Sequence, residues 1–279
     1  MVAVASLSYG KDSLAMIHVA RDVLGWQLER VVTVDTWATD TLLADWPDVV
    51  TFKEHADREI LRRWGIVVEH ISSTDKRGRK WTFERLFHQA RVRGNRAGEA
   101  IGWPMISHCW ANSRLKMNAF RRVDILTAGC IHYVGIAADE PERAARQQAR
   151  PNVRLPLVDA GWTEADCRAW CEAEGLLSPA YQYTARSGCF FCPEQPLEQL
   201  RVLRDRHPDL WAIMLAWDAD SPRPFKASHH SGHQGKSLRE IEERFTLADR
   251  GALPAGHRFQ WGRMDTYAGQ IMMDITPAG

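Results

Sequence analysis

A chain of 279 residues and 31.8 kDa, 45% hydrophobic and 25% charged, suits one large domain or a core domain with a smaller companion. A formal net charge of +1 leaves no global electrostatic footprint for nucleic acid or membrane, and no apolar run approaches the ~18 residues of a spanning helix. Six unevenly spaced cysteines argue against a secreted disulfide scaffold, and the N-terminus enters a strand pattern without the features of a leader, so a soluble cytoplasmic protein is expected.

In chain order, residues 2–7 read as a short buried strand and 12–20 carry apolar residues at helical spacing. Further strands are expected at 30–35, 66–71 and 132–136, with helices over roughly 43–63, 80–93 and 112–127. Strand–helix–strand alternation predicts a parallel sheet with right-handed crossovers and helices on both faces. From Pro151 the pattern changes. A short apolar segment at 154–158 precedes a helix opened by a Thr163/Asp166 capping box and running to about Gly175. A helix near 195–206, a Pro- and His-rich loop at 221–235 and a helix from Ser237 complete the chain. The expected division is an α/β domain over 1–185 and a mostly helical region over 186–279 that carries a cysteine metal site. Trp103, Trp110, Trp162 and Trp170 read as core or pocket walls.

Where the first strand meets the first helix lies Ser8-Tyr9-Gly10-Lys11-Asp12-Ser13. Two hydroxyls, a glycine and a lysine at a helix start suit an anion, because free N–H groups, the positive dipole end and a cation converge there. Asp35-Thr36 and Ala137-Ala138-Asp139-Glu140 fall at the ends of other predicted strands, the edge at which parallel sheets hold ligands. Cys189-Phe190-Phe191-Cys192, between Gly188 and Pro193, is a turn that aims two thiolates at one metal ion or cluster. Cys109 is the expected third ligand. The fourth is open between Cys130, His108, His132 and an external group. Cys167 and Cys171 are read as small hydrophobes facing the sheet. His229, His230 and His233 resemble a metal site by composition alone, and the basic stretch 76–96 reads first as a solvated face and second as a holder of phosphate backbone.

The turn at 8–13 resembles the PP-loop of ATP pyrophosphatases, with Tyr9 in place of the first glycine of the usual Ser-Gly-Gly-Lys-Asp-Ser. With Asp35-Thr36, Cys109 followed by Leu115-Lys116, Tyr133-Val134-Gly135-Ile136, Asp139-Glu140, Arg143, Gly161-Trp162-Thr163-Glu164 and Ser187 through Pro193, the order is similar to that of phosphoadenosine-phosphosulfate (PAPS) reductase-like proteins over about residues 1–215. The resemblance implies a Rossmann-like (HUP-type) α/β fold. Ser8, Gly10, Lys11, Asp12 and Ser13 would hold ATP phosphates with Mg²⁺, and Asp35 and Thr36 would lie near the adenosine. Gly135 belongs to the same nucleotide set; Lys116, Asp139, Glu140 and Arg143 would face phosphate or substrate, with Lys11, Asp12 and Lys116 as the catalytic candidates. Two departures stand out. Ala137 takes the place of an arginine usual in the reductases, and no cysteine follows Cys192 to attack a sulfate sulfur.

The leading expectation is therefore ATP-dependent, AMP-forming activation of an acceptor for sulfur transfer, with Cys109, Cys189, Cys192 and Cys130 holding an iron–sulfur cluster (4Fe–4S) or zinc. A sulfonucleotide reductase using a partner thiol, and a nucleotide-binding subunit with structural zinc, are the alternatives. The acceptor is a small molecule or a nucleic acid, tRNA or DNA. A sulfur donor or thiol protein is an expected partner, a membrane is not, and a homo-oligomer is admitted.

Overall fold

The computed structural model describes residues 1–122, 129–184, 188–228 and 235–252. In chain order the elements begin β1 (Val2–Leu7), α1 (Lys11–His18, extended by a π-helical turn Val19–Val23), β2 (Arg30–Val34), α2 (Pro47–Trp64) and β3 (Val68–Ile71). Next come α3 (Phe83–Phe87), a π-helical turn Asn112–Met117 running into α4 (Asn118–Arg122), β4 (Cys130–Tyr133), α5 (Pro141–Gln148) and β5 (Val153–Arg154). The series ends with α6 (Pro156–Asp159), α7 (Glu164–Ala173), α8 (Leu197–Arg206), α9 (Pro208–Ala219) and α10 (Leu238–Asp249).

Contacts divide the chain into two units. The first takes Met1–Thr82 and Ala111–Tyr181, and the second takes Phe83–Trp110 and the described residues from Cys189 on. The five strands of the described residues belong to the first and form one parallel sheet in the order β3-β2-β1-β4-β5. Alternate residues of β1 serve opposite cores. Ala3, Ala5 and Leu7 join Val31, Val68 and Tyr133 under α1, α2 and α7, whereas Val4 and Val32 face the other way, with Phe120 of α4 against them. The fold is thus α/β and Rossmann-like. The strand order reverses direction between β1 and β4, the switch point at which such sheets open a crevice.

Local chemistry explains the helix ends. Pro47 opens α2 at its first turn, and Gly65, at φ +67°, closes it with its N–H on Leu61 O at 2.9 Å. The Thr163/Asp166 capping box forms as expected, with Asp166 N donating to Thr163 Oγ1 at 3.2 Å and Thr163 N to Asp166 Oδ2 at 2.9 Å. A second capping box, Ser237 with Glu240, opens α10.

Several expectations need correction. The helix expected over 80–93 shrinks to Phe83–Phe87. Beyond it the chain folds back on itself, with an Ala90–Ala100 bridge and Arg91 N donating to Glu99 O at 2.9 Å. The fourth strand begins earlier, at Cys130, and ends at Tyr133, because the next residues turn in against α1. Segment 154–158 splits at Pro156, which has no N–H for a ladder. Arg154 joins β5, and Pro156 starts α6. Helix α9, opened by Pro208, was not foreseen. Part of the helix expected over 112–127 (residues 123–127) lies outside the described residues.

The second unit has a core of rings. Phe83 stacks on Phe191 at 3.9 Å and on Trp110 at 5.0 Å between centroids, and Trp103 meets Phe225 edge-on at 4.9 Å. Indole N–H groups find partners: Trp103 donates to Asp218 at 2.8 Å and Trp217 to Glu84 at 3.1 Å. This packing groups 83–110 with the residues after 188, whereas the linear reading assigned that segment to the 1–185 domain.

Candidate functional site

The turn after β1 is closed by Ser13. Its Oγ accepts from Ser8 N at 3.2 Å and Ser8 Oγ at 3.1 Å and donates to Gly10 O at 2.9 Å, while Ser13 N and Leu14 N both reach Gly10 O. Tyr9 stands in the left-handed region at φ +57°, the conformation for which glycine is the cheap residue. That geometry costs a tyrosine roughly 1–2 kcal/mol. Burial of the ring, 1% exposed, offsets it, as do its hydroxyl's hydrogen bond to Asp57 Oδ1 at 2.7 Å and Lys53 Nζ lying 5.2 Å from the ring centre. Gly135, just past β4, presses on the same turn from the neighbouring strand. A Cβ there would lie 2.8 Å from Asp12 O and 3.0 Å from Ser13 Cα. Glycine is required for that close approach.

Lys11, the first residue of α1, is buried and held by two carboxylates, Asp12 Oδ1 at 2.8 Å and Glu164 Oε2 at 3.0 Å. Burial pulls its pKa down, but those hydrogen bonds outweigh burial and hold it above the usual lysine value. Burial lifts Asp12 above the usual carboxylate range, Lys11 pulls it back, and Glu164 and Glu140 push it further up. Lys11 N donates to the Tyr181 hydroxyl at 3.2 Å, so a phenol oxygen occupies a helix-start N–H of the kind that takes an anion's oxygen. Asp139 Oδ1 accepts from Glu164 N at 3.0 Å, and Glu140 holds Arg143 at 2.9 Å. Ala137 is fully buried beside them.

At the ends of β2 and β3 a second polar group assembles. His70 lies between Asp35 Oδ2 at 2.9 Å and Asp57 Oδ2 at 2.9 Å, and Lys53 between Asp45 at 2.5 Å and Asp35 at 3.8 Å. Thr36 is 5% exposed, and its Oγ1 is buried with no hydrogen-bond partner among the described residues. An orphaned hydroxyl at a strand's carboxyl end, next to Asp35, fits a ligand's polar atom. Together with the Lys11 turn it makes a donor set suited to a nucleotide. Asp12 and Glu164 can supply the one or two carboxylates that Mg²⁺ takes alongside substrate phosphates.

Lys116 stands half-buried on the Asn112–Met117 turn. Cys167 and Cys171 are core, as expected. Both are fully buried, Cys171 Sγ lies 3.4 Å from Lys11 O, and burial pushes both thiols up to about 12. Cys130, on β4, is half-buried against the Val4–Val32 core of the first unit, whereas Cys109, Cys189 and Cys192 belong to the second. The Cys189–Cys192 turn forms, with Cys192 N on Cys189 O at 3.0 Å, and Gln195 Nε2 donates to Cys189 O at 3.1 Å. Among the described residues, however, no three His, Cys, Asp or Glu side chains gather as a metal group. The described residues therefore do not close a site for an iron–sulfur cluster or zinc. His229, His230 and His233 lie outside them.

Sequence reasoning missed Lys53, Asp57, His70, Tyr181 and Lys226. For Lys53 a signal existed: it shares the buried stripe of α2 with Val49, Phe52, Ala56 and Ile60, and a lysine there needs a carboxylate partner. Lys226 donates to Pro193 O at 2.7 Å and also to Gln195 O, fastening the segment after the cysteine turn; burial brings it down to about 8. Nothing local in sequence marks it.

No protein-family model matches this chain, and no curated protein matches it. Among solved structures, the U34-tRNA thiolase NcsA from Methanococcus maripaludis with its 4Fe-4S cluster is similar at 16% identity, over 85% of this chain and 83% of that one, with a TM-score of 0.38. No described helix is long and apolar enough to cross a membrane.

Proposed function

We propose that the first unit is an ATP-dependent, AMP-forming enzyme of PP-loop type. The observation that carries this reading is the Ser8–Ser13 turn, closed on itself by Ser13 at the switch point of a parallel sheet, with Lys11 as the first helical residue. Ser8, Gly10, Lys11, Asp12 and Ser13 take the phosphates, with Gly135 keeping the neighbouring backbone close enough to shape the turn. Asp35 and Thr36 take the nucleoside, the orphaned Thr36 hydroxyl gaining its partner.

An acceptor oxygen attacks the α-phosphorus. The bond from phosphorus to the bridging oxygen breaks, and pyrophosphate leaves with the electron pair. Lys11 exchanges a carboxylate for phosphate and stabilises the charge that builds on that leaving group. Mg²⁺, when bound, adds Lewis-acid stabilisation of the same charge. Lys116, Asp139, Glu140 and Arg143 face phosphate or acceptor.

In the second half of the reading, which takes place in the cytoplasm, a sulfide-level sulfur nucleophile from a donor protein bonds to the activated atom of the acceptor (a small molecule or a nucleic acid such as tRNA or DNA). The bond from that atom to the AMP oxygen breaks, and AMP leaves with the electron pair. The support for this half is the Cys189–Cys192 turn, with Cys109 of the same unit as the third candidate ligand. No step is routed through a cluster, because the described residues do not close one.

The test is pyrophosphate release from ATP and ATP–pyrophosphate exchange against candidate acceptors. Lys11→Ala should lower both at least a hundredfold, about 2.7 kcal/mol of transition-state stabilisation. Release unchanged in that variant would remove the ATP reading.

A further inference from the structure

Arg91 and Arg96, of the basic stretch 76–96, gather with Arg223 in the second unit, and the ATP reading uses none of the three. Residues 90–100 fold back as a narrow loop, with Gly98 N donating to Arg91 O at 2.9 Å and Gly94 and Gly98 at φ +87° and +89°. The loop's exit is locked to residues 221–222, since a Cβ on Gly102 would lie 2.7 Å from both Pro222 Cδ and Ser221 Oγ. On this frame Arg223 Nη2 donates to Ile101 O at 2.6 Å, and Arg91 Nη2 donates to the same oxygen at 3.2 Å. Arg96 reaches Pro222 O at 3.0 Å and Glu99 Oε2 at 2.6 Å. Three guanidinium groups thus share two carbonyls and one carboxylate.

Their hydrogen bonding is incomplete. Arg223 is 7% exposed, and the Nε–H donors of Arg223 and Arg91 are both buried with no partner among the described residues. Such orphaned buried donors are costly, and a ligand oxygen that satisfies them is favoured. Burial, then the charges of Arg91 and Arg96, bring Arg223 down to about 10, against a small opposing pull from Glu99. Concentrated positive charge with spare planar donors is the arrangement that oxyanions satisfy, because guanidinium groups match phosphate oxygens in pairs.

We propose that Arg91, Arg96 and Arg223 form a binding site for a phosphate-class oxyanion. The oxyanion enters beside Arg96, whose side chain is 28% exposed, and takes the unused donors of Arg91 and Arg223. Two sources share this chemistry, a phosphodiester of a nucleic-acid strand and a free phosphate. The proposal is independent of the ATP reading.

The experiment uses the full chain carrying Lys11→Ala, which removes the cation of the first-unit turn, and titrates it calorimetrically with inorganic phosphate. One phosphate should bind, and Arg91→Gln or Arg96→Gln in that background should weaken it at least tenfold with the thermal midpoint unchanged. Arg223→Lys, which keeps the charge and one donor to Ile101 O, should weaken it by a comparable factor. A parallel titration with a short single-stranded RNA at several salt concentrations separates the sources. For a phosphodiester, Arg96→Gln lowers the salt slope by about 1; for a free phosphate, the RNA titration is the same with and without the substitution. No phosphate binding in the Lys11→Ala chain, or binding indifferent to Arg91→Gln and Arg96→Gln, overturns the proposal. Either result leaves the pyrophosphate assay untouched, so the two readings fail separately.

Discussion

Two charged clusters, one in each unit, handle charge in opposite ways. In the first, two buried lysines are each shared by two carboxylates, Lys11 by Asp12 and Glu164 and Lys53 by Asp45 and Asp35, and the more exposed His70 lies between Asp35 and Asp57. In the second, three arginines lean on carbonyl oxygens and a single glutamate. Paired cations exchange partners when a charged ligand arrives, whereas crowded ones gain a partner outright. The cores differ too. Mostly aliphatic residues fill the layer between α1, α2, α7 and the sheet, where strands and helices must approach closely, and stacked rings surround Phe83 in the second unit.

The sharpest way to break this contrast is to remove a ring. Phe83 is fully buried against Phe191 and Trp110, and Phe83→Ala should cost about 3–5 kcal/mol in denaturant unfolding. A loss below about 1 kcal/mol would mean that the rings do not hold the second unit together. Gly135→Ala probes the close approach in the first unit. Its Cβ meets the Asp12 backbone, and the expected destabilisation is about 1–3 kcal/mol, accompanied by loss of pyrophosphate release as the turn shifts. A variant with wild-type stability and activity would show that the neighbouring backbone yields freely.

The smallest expected effect concerns His70. Burial lowers its pKa, but the hydrogen bond to Asp57 and the charge of Asp35 outweigh burial and raise it above the usual histidine value. A raised folded-state pKa means that the stabilisation is fully present below the unfolded value, about 6.5. It is lost as pH rises through the higher folded value. Because the side chain is 37% exposed, solvent screening keeps the contribution under about 1 kcal/mol. His70→Gln should flatten stability against pH in that window, measured by thermal midpoints from pH 6 upward. An unaltered profile would place the pH dependence elsewhere.

Much of the first unit was legible in the linear pattern. The strands at residues 2–7 and 30–34, the helix start at Lys11 and the Thr163 cap are local features, set by alternation, spacing and side-chain-to-backbone hydrogen bonds within a few residues. The segment 80–93 shows the limit. Its composition suits a helix, but the chain folds back beyond Phe87, with the Ala90–Ala100 bridge, while the ring of Phe83 packs against residues about a hundred positions away. The candidate site divides along the same line. Ser8, Gly10, Lys11 and Ser13 form one local turn and could be read together, whereas Glu164, Tyr181, His70 and Asp57 reach the turn or its tyrosine only across the sheet edge.

Sequence alone thus determined where backbone donors and a lysine meet at the end of the first strand, because a turn of six residues contains its own hydrogen-bond partners. Only the tertiary structure decided that Glu164 joins Asp12 in holding that lysine, why Tyr9 tolerates a glycine's conformation, and that three arginines from two separate segments share two carbonyls. Those are contacts between residues far apart in the chain, and their energies depend on burial and distance, quantities that arise only once the segments pack.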